Sequence, residues 1–477
     1  MTKKLLLLLI LVIAEIAGVQ AQNVPRIYAS GLTAAPSATG YNLTFTLNAA
    51  ATNVAIILKL NATDSTVISA GALPQGSNTV AVATGQAPSG SYTWEVQATA
   101  AAVASPVLFT NSSSPLVHFN SAYGVAVDNS FDSPGFGRIY VVSSTAGATS
   151  VSGRSTGKGI YILDAALTDV TGQGNTAYSG GVAWASTASP LRCCVAPDGQ
   201  VYMCDWSSAA YGVYVMNTAT PTAAFRQVFG GSRITDSYYG VTGLFQYAST
   251  KAVPGGAVAS CYVLGSGANT RLYTIDNFYL NPGAVTLPGP VMTRPNNILQ
   301  YNIGTSTSPW ITAPSAAVFD NGATGYLEVF NNSVFAPDAR GGWFISQSPN
   351  PNADTPRQPV LIHVSSAGKV DFSSGTANLV GGSVDAGMAV TYDGNRVAVC
   401  VNNDYKVYDV TYDGQNVPTL TLAYDIAGLG GQAFSMAFDR AGNLYVVTTT
   451  GILGGYSLPT ANNSFITLAP SSQVLTL

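Results

Sequence analysis

The stretch Leu191–Asn217, LRCCVAPDGQVYMCDWSSAAYGVYVMN, constrains this chain more than any other. It reads as an apolar run, a Pro-Asp-Gly turn, a second apolar run, a polar bend and a third apolar run. Asp and Gly suit a tight hairpin, because Gly adopts positive φ and Asp bonds the local backbone. The run lengths fit three short antiparallel strands. The same grammar returns along the chain, so an internal repeat organises it.

Six units can be laid out from residue 121 onward. The first is AYGVAVD, GRIYVVSS and GIYILDA, and the second is the stretch above. The third is TGLFQYA, ASCYVLGSG, and RLYTIDN or NNILQYNIG. The fourth is PSAAVFDNG, GGWFISQS and QPVLIHVSS. The fifth is AGMAVTYDG, NRVAVCVNN and DYKVYDVTYDG, with LTLAYDI as a weaker fourth strand. The sixth is AFSMAFDRAG, NLYVVTTTG and GGYSLPT, with SFITLAP as its fourth strand. A lone sheet of this size has two apolar faces and can cover neither. Packed radially, each face meets a neighbour, and ring closure leaves only short edges exposed. The pattern predicts a β-propeller over 121–477. It has six blades, or seven if 265–312 holds an irregular one.

Residues 22–103 have a different cast. YNLTFTLNA, NVAIILKLN, STVISAG, NTVAVATG and GSYTWEVQATA are short β runs with turn signals between them, which predicts a separate β-sandwich. Residues 104–120 form a bridge. Residues 1–21 read as a signal peptide: Lys3 and Lys4, an apolar run from Leu5 to Ala14, then Val19-Gln20-Ala21 with cleavage after Ala21. That predicts export, to the medium, the cell surface or the periplasm. No later stretch approaches the roughly 20 apolar residues of a membrane span.

Composition agrees with an all-β class. Charged residues are only 9%, and Glu occurs only as Glu15, Glu95 and Glu328, which is poor helix material. Net charge is −4 with no basic patch, which argues against a nucleic-acid partner.

Two segments resemble known families. "CVAPDGQVYMCDW…YGVYVMN" and "MAFDRAGNLYVV" are similar to the NHL and gluconolactonase-like six-bladed propellers, in which a first strand ends in Asp-x-x-Gly-Asn before an apolar-Tyr-Val-apolar strand. The third and fourth units depart most. "LPQGSNTVAV…APSGSYTWEVQA" resembles the Ig-like domain of flagellar hook-capping proteins, which implies a spacer or adhesion module. The gluconolactonase-like resemblance implies a metal-dependent hydrolase with a divalent ion in the channel. The glutamate that family carries before a first strand is replaced here by Tyr123-Gly124, and Glu328 lies between strands of the fourth unit. Asn403 and Asp404 remain as oxygen ligands of an incomplete set.

In a propeller, the loops from second to third strands and the starts of first strands gather at one mouth of the channel. That mouth is expected to receive Asp205, Trp206, Gln347, Asn402, Asn403, Asp404, Thr448 and Thr449, with Arg192 entering from a first strand. Asp, Asn and Trp hold a sugar by hydrogen bonding and stacking. Asp205, Trp206, Arg192, Asn403 and Asp404 are therefore the expected ligand-binding set. The expected role is non-catalytic binding of a glycan or protein at or outside the cell surface. The alternative is a propeller hydrolase or lyase acting on a carbohydrate or lactone.

Other chemistries lack their motifs. The two histidines, His118 and His363, accompany no Gly-x-Ser-x-Gly elbow. Cys193-Cys194 lacks zinc-ligand spacing, and GRSTGKG at 153–159 lacks phosphate-loop order. The Asp-Gly turns lack the alternating oxygens of a calcium loop. No cofactor or metal is expected.

The five cysteines are odd in number, so at least one is unpaired within the chain. Cys204 and Cys400 stand where Val142 and Val447 stand in other units, which suggests small buried side chains. A two-residue Asp198-Gly199 turn would set Cys193 opposite Cys204 for a disulfide. A three-residue Pro197-Asp198-Gly199 loop would remove that pairing.

Overall fold

The computed structural model describes residues 26–477, apart from 152, 170–171, 173, 186–188, 208–211, 230–234, 237–240, 243–256, 278–297, 310–314, 320–332, 348–360, 375–383, 461–463 and 471–472. The signal-peptide segment 1–21 lies outside these residues, as do TGLFQYA from Gly243 onward and Glu328. Among the described residues no helix is long and apolar enough to cross a membrane.

The chain is all-β. Its first six strands are β1 (Ala29–Ser37), β2 (Gly40–Leu47), β3 (Ala51–Lys59), β4 (Ser65–Leu73), β5 (Gly76–Ala83) and β6 (Ser91–Thr99). The alternation of Leu43, Phe45 and Leu47 with exposed or half-buried neighbours on β2 marks one buried face. That face packs on Val54, Ile56, Leu58, Trp94 and Val96 of a second sheet. The result is a two-sheet sandwich, β1-β2-β5 against β6-β3-β4.

Among the described residues, six antiparallel sheets of three or four strands follow β7 (Val107–Leu108). Sheet I is β8 (Ala122–Val127), β9 (Ile139–Ser143) and β12 (Gly159–Leu163), and the ribbon β10 (Gly147–Ala148) with β11 (Ser155–Thr156) rises from its β9–β12 loop. Sheet II is β13 (Arg192–Val195), β14 (Val201–Asp205), β15 (Gly212–Met216) and β16 (Arg226–Gln227); a ribbon β17 (Thr235–Asp236) with β18 (Val241–Thr242) follows. Sheet III is β19 (Ala257–Leu264), β20 (Arg271–Asn277), β21 (Ile298–Tyr301) and β22 (Ala316–Phe319). Sheet IV is β23 (Val334–Pro337), β24 (Trp343–Ser346), β25 (Leu361–Val364) and β26 (Val370–Ser373). Sheet V is β27 (Val384–Val390), β28 (Arg396–Val401), β29 (Asp404–Tyr412) and β30 (Pro418–Ile426). Sheet VI is β31 (Ala433–Phe438), β32 (Leu444–Thr448), β33 (Leu453–Ser457) and the early strand β7.

The first strands of these sheets touch in a closed cycle: β8 with β13, then β19, β23, β27, β31 and back to β8. Each seam holds its own apolar cluster. Val142 meets Met203 between I and II, and Val447 meets Ile139 between VI and I. This cyclic stacking is a propeller-like arrangement in which every sheet buries both faces. Cys204, Cys400, Val142 and Val447 all lie in the seam leading to the next sheet.

Three strand assignments differ from the sequence reading. ASCYVLGSG is the first strand of sheet III, and PSAAVFDNG supplies its fourth rather than the first strand of sheet IV. Sheet IV instead begins at Val334. The slip has a local cause. The first hairpin of sheet III turns through Gly265 and a 3-10 turn at Gly267–Asn269, without the Asp-Gly punctuation used elsewhere.

The third difference is at the end of the chain. SFITLAP contains β34 (Ser464–Leu468), which pairs with β6 of the sandwich, and β35 (Leu475–Thr476) pairs with β6 as well. The fourth place in sheet VI goes to β7, whose Val107 and Leu108 face Ser457 and Tyr456. Sandwich and ring also share a buried contact around Tyr28, Phe136, Ala165 and Ala441. There Arg26 donates to the Ala441 carbonyl, and the Asn443 amide donates to the Arg26 carbonyl.

Candidate functional site

The six first strands and the loops that follow them enclose a cavity of about 800 Å³. Its lining runs to the end where first strands turn into second strands, with residues of those turns, such as Asn129, Pro197, Asp338, Thr391 and Arg440, on its wall. At the opposite end the strands converge. Gly124 of β8 lies so close to β13 that a Cβ would come within 2.8 Å of the Arg192 Cα. Gly387 of β27 likewise abuts the Ala433 carbonyl of β31, at 2.5 Å. Tyr123 stacks on Phe434 there, with ring centres 4.3 Å apart.

Arg192 spans this constriction. Its guanidinium donates to the Phe434 carbonyl from Nε at 3.2 Å and Nη2 at 3.0 Å, and to the Ala259 carbonyl from Nη1 at 2.7 Å. The side chain thus ties β13 to β19 beside it and to β31 two sheets away. Burial lowers the Arg192 pKa to about 10, still well above neutrality, so the guanidinium stays charged. Carbonyl dipoles, not a carboxylate, are the partners that these bonds supply.

The other expected ligand-binding residues lie outside the cavity wall. Asp205 ends β14 and is fully buried. It accepts bonds from the Ser207 amide at 2.8 Å and hydroxyl at 2.5 Å. Burial raises its pKa to about 6, against the pull of Ser189 and Ser207. Trp206 is half-buried as a wedge, packed on the II–III cluster and on the III–IV cluster. Asn402 and Asn403 form the tip of the β28–β29 hairpin at φ +52 and +71, a left-handed pair suited to Asn. Asp404 accepts from the Gly428 amide at 3.2 Å. Gln347 and Thr448 are buried. No described contact brings Asp205, Arg192 and Asn403 together: Asp205 is bonded to Ser207, Arg192 to the Phe434 and Ala259 carbonyls, and Asn403 sits at a hairpin tip of sheet V.

The end lined by first-to-second-strand turns carries features the sequence reading took only as turns. Asp198, Asp393 and Asp439 do cap turns: Asp439 Oδ1 accepts from the Ala441 and Asn443 amides, and Gly199, Gly394 and Gly442 have positive φ. Beside two of these aspartates stand Tyr392 and Arg440. The Arg440 guanidinium lies 3.3 Å from the centre of the Tyr392 ring and 4.9 Å from that of Phe131. All three line the cavity, and Tyr392 is 65% exposed. The signal available in sequence was an aromatic or basic residue adjacent to a turn Asp.

His363, read as a strand residue, lies on β25 with both ring nitrogens facing carboxylates. Nε2 is 2.9 Å from Asp338 and Nδ1 is 2.6 Å from Asp371. Asp338 also accepts from the Arg340 and Gly342 amides. Burial pushes its pKa up, but His363 and those amides outweigh it and leave the carboxyl below its ordinary value. The group pins the β23–β24 loop on the cavity wall. His118, in the bridge, bonds the Ser112 carbonyl.

Cys193 stands opposite Met203 in the ladder and Cys204 opposite Arg192, around a loop closed by the Ala196 and Gln200 backbone. Pro197-Asp198-Gly199 is therefore the three-residue loop, and Cys193 and Cys204 are not paired. Among the described residues no group of three His, Cys, Asp or Glu side chains is placed to hold a metal ion.

No protein-family model matches this chain, and no curated protein matches it. Solved structures do. An auxiliary nutrient binding protein from Bacteroides thetaiotaomicron is 9% identical, with 91% of this chain and 99% of that one covered and a TM-score of 0.40. The gluconolactonase XC5397 from Xanthomonas campestris is 13% identical over 75% and 91%, with a TM-score of 0.38. The WD40 β-propeller domain of Doa1 is 10% identical over 71% and 93%, with a TM-score of 0.37.

Proposed function

We propose that this chain is an exported binding protein, an Ig-like sandwich fixed to a six-bladed propeller, that takes a glycan at the channel mouth where first strands turn into second strands. The observation that carries the reading is Tyr392. A large aromatic side chain stands 65% exposed at the rim of a deep cavity, with one ring face backed by Arg440. An amphipathic ring with an apolar face beside polar turn residues is the usual means of stacking a sugar. Arg192 closes the cavity below it and keeps the floor positively charged. The cyclic order of six sheets supports the blade number.

The test is a glycan array on the purified full chain, followed by calorimetry on any hit. Binding should fall at least tenfold in Tyr392→Ala and stay near its original value in Trp206→Ala. The reverse pattern would place the ligand at the narrow mouth with Asp205 and Trp206. Absence of any glycan signal would remove the proposal. Release of a product from a bound saccharide or lactone would replace it with the hydrolase or lyase reading.

A further inference from the structure

Three of the five cysteines meet in one seam. Cys194 of β13, Cys204 of β14 and Cys261 of β19 belong to the buried cluster between sheets II and III, and all three are free thiols. The Cys194 and Cys261 sulfurs are 3.9 Å apart, although 67 residues separate them in sequence. Cys204 approaches Cys261 from the second strand of sheet II. Cys193 belongs to the I–II seam and Cys400 to the V–VI seam, so neither joins this group.

Sulfurs at 3.9 Å are in van der Waals contact, and a disulfide draws them to about 2.05 Å. That needs an approach of less than 2 Å between side chains on two strands, β13 and β19, that already touch. Both residues also lie on the wall of the channel cavity, which gives a small oxidant a route to them. We propose that Cys194 and Cys261 form a disulfide that staples the first strands of sheets II and III.

The oxidant is a low-molecular-weight or protein disulfide. One thiolate of the pair attacks it, forming a mixed disulfide and expelling one thiol; the second cysteine attacks the mixed disulfide and expels the other. Two protein thiols lose two protons and two electrons, and the oxidant becomes two thiols. The Cys194 contact and burial hold the Cys261 thiol well above its ordinary pKa, so closure in the folded protein is slow and accelerates as pH rises. In an oxidising compartment it can close earlier, before the seam is buried.

The test incubates the full chain with oxidised glutathione at mildly alkaline pH, then titrates thiols after denaturation. The count should fall from five to three. Cys193, Cys194 and Cys204 fall in one tryptic fragment, so assignment uses Cys193→Ala/Cys204→Ala/Cys400→Val, which keeps only the proposed pair. This variant should go from two thiols to none. A folded Cys194→Ala chain should keep all four of its thiols. The oxidised wild type should also melt above its reduced form. Two persistent thiols in the triple variant would overturn the proposal, as would a Cys204–Cys261 bond in the wild type.

Discussion

The guanidinium of Arg192 and the carbonyl of Phe434 meet across the channel, from strands 242 residues apart in sequence, at 3.0 and 3.2 Å. With the bond to Ala259, this side chain acts as a strut between three sheets. Arg192→Met keeps the apolar stem and removes every donor. Hydrogen bonds from a charged group are worth about 1.5–3 kcal/mol, so the variant should lose about 2–4 kcal/mol in urea unfolding. Arg192→Lys should lose less, because one ammonium can serve one of the two carbonyls.

The convergence of first strands depends on missing side chains. In Gly124→Ala the new Cβ would stand 2.8 Å from a backbone carbon and 3.1 Å from the Cys193 nitrogen, neither of which can swing aside. Overpacking of this kind costs about 1–3 kcal/mol. Gly387→Ala meets the Ala433 carbonyl at 2.5 Å and should cost a similar amount. Thermal denaturation of the two variants checks both.

Asp439 sets a pH dependence. Burial raises its pKa to about 7, against the Asn443 side chain and the Asn443 and Ala441 amides. The native state therefore holds a proton that the unfolded chain releases near pH 4. Between about pH 4 and 7 this group makes the protein less stable as pH rises, by at most about 1.4 kcal/mol per pH unit. Asp128 and Asp205, raised to about 6, act in the same direction. The melting temperature should rise on acidification from pH 7.5 to 5.5, and Asp439→Asn should flatten the slope.

His363→Leu should be damaging out of proportion to its size. It removes the ring that faces Asp338 and Asp371 and leaves two carboxylates close together beneath the cavity wall. Leaving a buried hydrogen-bonded carboxylate without its partner costs about 1–3 kcal/mol or more, and Asp371 is partly exposed, so about 3 kcal/mol is expected. The Asp338 pKa is lowered in the native state, so its own contribution is present above the unfolded value and fades as pH falls through the acid range. The wild type and His363→Leu should thus converge in stability at low pH, which acid titration of unfolding would show.

The sandwich should not fold from residues 22–103 alone. Strand β6 pairs with β34 and β35, and Leu475 is fully buried in the sandwich core. The excised segment should be unfolded or aggregated by circular dichroism. Adding a peptide of residues 464–477 should restore β signal, and the same peptide with Leu475→Asp should not.

What could be read in the sequence follows from what is local. Hairpins punctuated by Asp and Gly were legible, as at Asp198 and Asp393, because one residue type sets the turn whatever surrounds it. Sheet III lacks that mark in its first hairpin, so its strands are not delimited by any local signal. Edge pairings such as Val107 with Ser457 leave no trace in either short segment, since both are simply apolar. Arg192 was legible as a channel residue from its place on a first strand. Which end of the channel is constricted was not, because it depends on where Gly124 and Gly387 let neighbouring strands close up. That fact also separated Tyr392 and Arg440 from Asp205 and Trp206.

The return of β34 and β35 to β6 reverses the order of manufacture. Ribosomes make residues 91–99 early, yet this strand gains its last neighbours only when residues 464–476 have emerged. Strand β7 waits in the same way, without its partner until Leu453–Ser457 of sheet VI is made. A strand synthesised early is therefore finished late, and a chain cut short before residues 464–476 leaves an unpaired edge on β6.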